Sequence, residues 1–178
     1  MKIFVILIKI ITISMKKFWF FVGLGVITLL FVLWGISYLS YITEIRNVQD
    51  VVSKFIKAVS LRDKETLKDI TGGRVFVSIF SGDGRINEYY LDELSMYFSS
   101  YSEIKFFKVY RSSEFSQEEK RKYGVLGWKV NVIIINESAQ YVSGYSFYVS
   151  KFSEVLEDNS IKTFYKVVDF IKVGEIAF

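Results

Sequence analysis

From Phe18 to Ile42 the chain carries no charged residue. A helix over that stretch is about 37 Å long at 1.5 Å per residue, enough to cross roughly 30 Å of hydrocarbon with some tilt. A helix also satisfies its own backbone polar groups, which a bilayer demands. Trp19 sits at one end of the run, and Trp34, Tyr38 and Tyr41 lie towards the other, as expected of side chains placed at two membrane–water interfaces. Lys16 and Lys17 flank its start, with Lys2 and Lys9 further upstream; Glu44, Arg46 and Asp50 follow it. Excess positive charge before the span predicts a cytoplasmic N-terminus and an extracytoplasmic C-terminal domain, in the inner or plasma membrane of a cell. The expected organisation is therefore residues 1–17 in the cytoplasm, 18–42 as a single-pass signal-anchor and 43–178 outside.

A cleaved signal peptide has an apolar region of only about 7–15 residues before a small-residue cleavage site. Here the run is longer, and the one passable site, Gly35-Ile36-Ser37, lies inside it. A lipoprotein anchor needs a cysteine, and the chain has none. Residues 1–14 form a second apolar run, broken by Lys9 and too short to span. Met15-Lys16-Lys17 then repeats the charged-then-apolar pattern, which predicts that translation starts at Met15; otherwise residues 1–14 lie along the inner surface. Gly23 and Gly25 lack the four-residue spacing of a helix-dimer motif.

Of the 23 basic residues four precede the span, and the other 19 balance 19 acidic ones, all downstream. The extracytoplasmic domain is thus formally neutral, which argues against nucleic acid as a partner. With no cysteine and no histidine, the chain lacks thiolate chemistry, disulfides and the commonest general base and metal ligand. No cofactor is expected. The absence of proline, with 17 Phe and 12 Tyr, fits an AT-rich bacterial genome.

The fold class expected for residues 43–178 is α+β. Val48, Val51, Val52, Phe55, Ile56 and Val59 recur at helical spacing, with Asn47 placed to cap the start. A short helix follows Asp63, with Leu67 and Ile70 on its apolar face and Gly72-Gly73 to end it. Residues 74–80 are β-rich, 81–84 (Ser81-Gly82-Asp83-Gly84) read as a turn, and 85–90 can pair back as a hairpin. Leu91, Leu94, Phe98 and Tyr101 predict a further helix. Strands are expected at 103–112, 125–136, 140–152 and 161–173, the charged cluster 118–122 forming an exposed loop. Short connections imply an antiparallel meander. Strands such as 128–135 are apolar on both faces and call for cover on both sides, or on one side plus a partner.

This order of elements resembles the nuclear transport factor 2-like superfamily, the fold shared with ketosteroid isomerase and SnoaL-like proteins. The local match is Val51–Asp63 followed by Leu67, and Thr163–Asp169 is similar to the usual last strand. The resemblance covers residues 47–173. It implies a cone-like domain of about three helices packed on a curved, mainly antiparallel sheet, with a conical pocket and dimerisation through the outer sheet face. Membrane-anchored relatives include subunits of conjugation and type IV secretion machines.

Catalytic members of that superfamily use an Asp general base, and none maps onto this chain. Asp169 lies on the last strand, where a solvent-facing carboxylate is expected. The pairs Asp92/Glu93, Glu118/Glu119 and Glu157/Asp158 fall at a helix start or in loops, where the helix dipole and solvation account for them. Residues 81–84 lack the pattern of a calcium or phosphate loop. Tyr89, Tyr90, Trp128 and Phe147 are the candidate pocket-lining residues, should a pocket exist. The expected function is a non-enzymatic binding or assembly module of the cell envelope. Its partners would be the lipid bilayer and a second copy or another envelope protein. The alternative is a small-molecule-binding or hydrolase/isomerase-like domain, in which a pocket carboxyl would need a shifted pKa.

Overall fold

The computed structural model describes residues 2–81, 85–98, 101–123, 127–136 and 141–177, with side chains described from residue 19 onwards except at 136, 141, 176 and 177. The chain divides into two compact units, Met1–Glu44 and Ile45–Phe178. Helix α1 (Lys2–Leu61) runs through both, so Asn47 is an interior helical residue and not a cap. The protein is α+β, with a long apolar N-terminal helix and a four-stranded antiparallel sheet.

In the first unit, α1 is the one helix among the described residues long and apolar enough to cross a membrane. Its apolar side chains from Trp19 to Leu39 are exposed. Two of its hydroxyls are satisfied within the helix: Thr28 Oγ1 donates to the Leu24 carbonyl and Thr43 Oγ1 to that of Leu39, both at 2.9 Å. Trp34 and Tyr38, one turn apart, stack with ring centroids 5.6 Å apart.

In the second unit, α1 continues to Leu61 and buries the predicted stripe of Val48, Val52, Phe55, Ile56 and Val59. Arg62 turns the chain with a positive φ. Asp63 then caps α2 (Lys64–Ile70), accepting from the Thr66 amide at 3.1 Å. Helix α3 (Gly73–Ile79) follows where a strand is predicted. The β-forming side chains there are overridden by packing, because a helix places Val75 and Ile79 one turn apart in the core and leaves Val77 outside. Gly73 has φ +52, and its α-carbon lies so close to Val168 that a Cβ would meet that backbone oxygen at 3.1 Å. The expected hairpin over 85–90 reduces to a single bridge, Phe80 to Ile86, before α4 (Glu88–Phe98) begins. Helix α4 starts a turn earlier than its apolar pattern predicts and buries Leu91, Leu94 and Phe98. Of the turn at 81–84, residues 82–84 lie outside the described residues.

The strands are β1 (Tyr101–Arg111), β2 (Gly127–Asn136), β3 (Tyr141–Val155) and β4 (Ile161–Ala177), in spatial order 1-2-3-4. Between β1 and β2 the cluster predicted as a loop is helix α5 (Gln117–Tyr123). Trp128, Val130, Val132 and Ile134 alternate into the core, and Lys129, Asn131 and Ile133 point the other way. The core lies between the inner sheet face and helices α1–α4. Its centre is aromatic: Phe55, Phe98, Phe147 and Phe170 all lie within 6.2 Å of one another, centroid to centroid.

Candidate functional site on the outer sheet face

The sheet face opposite the core divides into two regions. One end is closed by α5, and the other is open and apolar. On the open part, Phe107 stands at a bulge of β1 and is 75% exposed, while Val173 on β4 is 69% exposed. Ile133 on β2 lies between them, and Ile171 adds to the same exposed face. Gly144 on β3 is paired with Ile133 on one side and Gly174 on the other. With two facing glycines the sheet has no side chains there, and a trough of about 160 Å³ opens, lined by Phe107, Ile133, Gly144 and Val173 among others. Beside it on β1, Lys105 paired to Glu103 supplies charge of both signs.

The closed end is a hydrogen-bonded latch. Ser116 and Glu119 form a reciprocal capping box at the start of α5: the Ser116 amide donates to Glu119 Oε2 at 2.9 Å, and the Glu119 amide donates to Ser116 Oγ at 3.2 Å. Glu119 and Tyr123 are four residues apart and share one helix face. Glu119 Oε1 accepts from Lys129 Nζ at 2.8 Å and from the Tyr148 hydroxyl at 2.9 Å. Tyr123 stacks on Tyr148, centroids 3.8 Å apart, and donates its hydroxyl to Asp169 Oδ2 at 2.8 Å. Phe115 packs edge-on against Tyr148.

These contacts set the electrostatics. The hydrogen bond from Lys129, with those from the Ser116 amide and Tyr148, lowers the Glu119 pKa to about 2, although desolvation opposes it. Burial, and then the carboxylates they bond, push the Tyr148 and Tyr123 hydroxyls above their usual range. The latch thus holds an ionised carboxylate and two protonated phenols across neutral pH. Glu119 is depressed from 4.5, so its contribution to stability is complete above pH 4.5 and is lost as pH falls towards 2. Glu119→Gln is expected to cost on the order of 1–3 kcal/mol at pH 6, the usual worth of hydrogen bonds to a charged group. The melting-temperature gap between the two proteins should then narrow steadily from pH 4.5 to pH 2; a gap independent of pH would show that the carboxylate charge contributes nothing.

Asp169 departs from expectation. Its side chain is only 15% exposed, because α5 and the first turn of α3 close over it. Asp92 likewise owes its position to an ion pair with Arg62 at 2.9 Å and not to the start of a helix. Glu119 is the network's centre and not a solvated loop residue.

The four candidate lining residues do not converge on a cavity. Phe147 is fully buried and Trp128 is 7% exposed; both belong to the core cluster, Trp128 in edge contact with Tyr165. Tyr90 packs partly buried against that cluster, and Tyr89 is 81% exposed on the first turn of α4. Of the span's flanking residues, Trp19, Trp34 and Tyr38 are exposed and Tyr41 is partly buried; the side chains of Lys16 and Lys17 lie outside the described residues. Among the described residues no group of three or more His, Cys, Asp or Glu is arranged to hold a metal.

Comparison of the chain with family models, with curated proteins and with solved structures finds no match.

Proposed function

We propose that this chain is a single-pass, membrane-anchored, non-enzymatic assembly module that docks a protein through the outer face of its sheet. The observation that carries this reading is the open apolar trough around Gly144, with Phe107 and Val173 standing exposed on either side. An exposed apolar patch with a charged rim is the usual anatomy of a protein interface. The inner face supports the same reading: Phe55, Phe98, Phe147 and Phe170 fill the space in which a small-molecule pocket would open. The lysines before the span favour a cytoplasmic N-terminus and an extracytoplasmic domain in a bacterial cell membrane. In this proposal the domain is a cone of the nuclear transport factor 2-like kind. Its partner is a second copy or another envelope protein, a subunit of a secretion or conjugation machine being the special case.

The chain has no cysteine, so an introduced one is its sole thiol. Ile133→Cys in the full-length protein, expressed in membranes and oxidised in place, should give a disulfide-linked dimer or a discrete larger adduct. Lys57→Cys, on the exposed side of α1, should give neither. If both positions link equally, or neither does, the outer face is not a docking surface.

A further inference from the structure

A second concavity lies at the edge of the sheet, where three elements meet. Strand β4 has a bulge at Val168, between the pairs Tyr148–Asp169 and Val149–Val167. The Gly72 amide donates to the Val167 carbonyl at 2.9 Å, which pins the start of α3 to that bulge. Arg74 is thereby carried next to Asp169, and the last turn of α5 brings Lys122 to the same place. The resulting cavity is about 230 Å³ and is lined by Arg74, Lys122, Tyr123, Ser150 and Asp169 among others. A water molecule occupies about 30 Å³ of liquid volume, so the space admits a small ion with part of its hydration shell.

The charges around this cavity do not cancel. Asp169 is already served by two close donors, the Tyr123 hydroxyl at 2.8 Å and the Phe170 amide at 2.9 Å. Lys122 stands off at 3.4 Å and Arg74 at 3.9 Å, the outer limit of an ion pair. Arg74 is 70% exposed, and Asp169 is its one charged contact among the described residues. Two cations thus face one carboxylate that already accepts a hydrogen bond at each oxygen, leaving one positive charge unmatched. An arginine fork and a lysine point charge, supplied from different elements in a cavity that Ser150 also lines, fit a tetrahedral oxyanion better than a single planar carboxylate.

We propose that this cavity binds a phosphate group, held between the Arg74 guanidinium and the Lys122 ammonium. Asp169 is the element that positions both cations, and its own charge opposes the ligand. The site is separate from the apolar trough and stands whether or not that trough docks a protein.

The test uses the full-length protein in maltoside micelles, which carry no phosphate. It is titrated by calorimetry with inorganic phosphate and, separately, with short-chain phosphatidylglycerol, at fixed ionic strength. Saturable binding of either supports the site, and the probe that saturates at lower concentration shows whether its source is a free ion or a lipid headgroup. Arg74→Ala combined with Lys122→Ala should weaken binding about tenfold or more, since each removes a charge-assisted hydrogen bond. Lys57→Ala combined with Lys68→Ala removes the same charge elsewhere and should leave binding unchanged. Asp169→Asn should tighten it several-fold, the opposite sign to a structural loss. Should Asp169→Asn fail to fold, the two double variants, whose changes lie at the surface, decide alone. The proposal is overturned if neither probe saturates, or if the distant pair weakens binding as much as the local one.

Discussion

Phe147→Ala is expected to lower the stability of the C-terminal α+β domain by about 3–5 kcal/mol, the range for truncating a buried aromatic ring. Phe147 is fully buried and lies 5.7–6.2 Å, centroid to centroid, from Phe55, Phe98, Phe170 and Tyr145. All four neighbours are themselves held by other packing, so the cavity left behind cannot close easily. Domains of ordinary size have about 5–15 kcal/mol in all, so the variant should sit near the edge of folding. Urea unfolding of the full chain in micelles measures it. The experiment also separates two readings of this residue: a ring lining an open pocket loses little on truncation, whereas a ring at the centre of a packed cluster loses several kcal/mol. A loss under about 1 kcal/mol would place a void where the aromatic cluster is described.

The second large effect concerns the span. Leu29 and Leu30 lie near the middle of the uncharged run, and both are exposed along α1. An arginine at the centre of a membrane helix costs about 2.5–3.5 kcal/mol on insertion scales, where leucine contributes about −0.3 to −0.6. Leu29→Arg with Leu30→Arg should therefore raise the insertion free energy by roughly 6–8 kcal/mol. The wild-type chain should stay with the membrane through an alkaline carbonate wash, and the double variant should appear in the supernatant or be degraded. Equal retention of both proteins would mean that this helix does not cross the bilayer.

Much of the domain was legible in the sequence because its signals are local. The stripe from Val48 to Val59, the Asp63 cap and the alternation from Trp128 to Ile134 each follow from a period of 3.6 or 2 over a few residues. The two misread helices show where local signals compete. Residues 74–80 carry β-branched and aromatic side chains, yet the positions of Val75 and Ile79 relative to the core decide for a helix. Residues 118–122 read as a solvated charge cluster, although Ser116 and Glu119 stand at the spacing of a capping box, a legible signal of a helix start. Reading that box would also have placed Glu119 and Tyr123 on one face.

The candidate surfaces were less legible, because they depend on register. Nothing near Asp169 in sequence announces that Arg74 and Tyr123 will close over it; that follows from the bulge at Val168 and from two helices arriving from distant parts of the chain. The doubly apolar strands did point to an outer face in need of cover, but only the pairing of Gly144 with Gly174 reveals a trough in it. Tyr89, Tyr90, Trp128 and Phe147 stand out in the sequence by residue type, and type alone does not distinguish a core ring from a lining one.

The contact between Phe55 and Phe170, 5.9 Å apart, joins the first helix of the domain to its last strand. Ribosomes add roughly 5–20 residues per second, so about 6–23 s separate the synthesis of these two rings. Until the strands follow, the nascent chain displays Val48, Val52, Phe55, Ile56 and Val59 as a greasy ridge with no completed sheet to receive it. The half-made protein is thus a natural client for chaperones and a target for quality-control proteases, and a stop codon before β4 would leave it in that condition permanently.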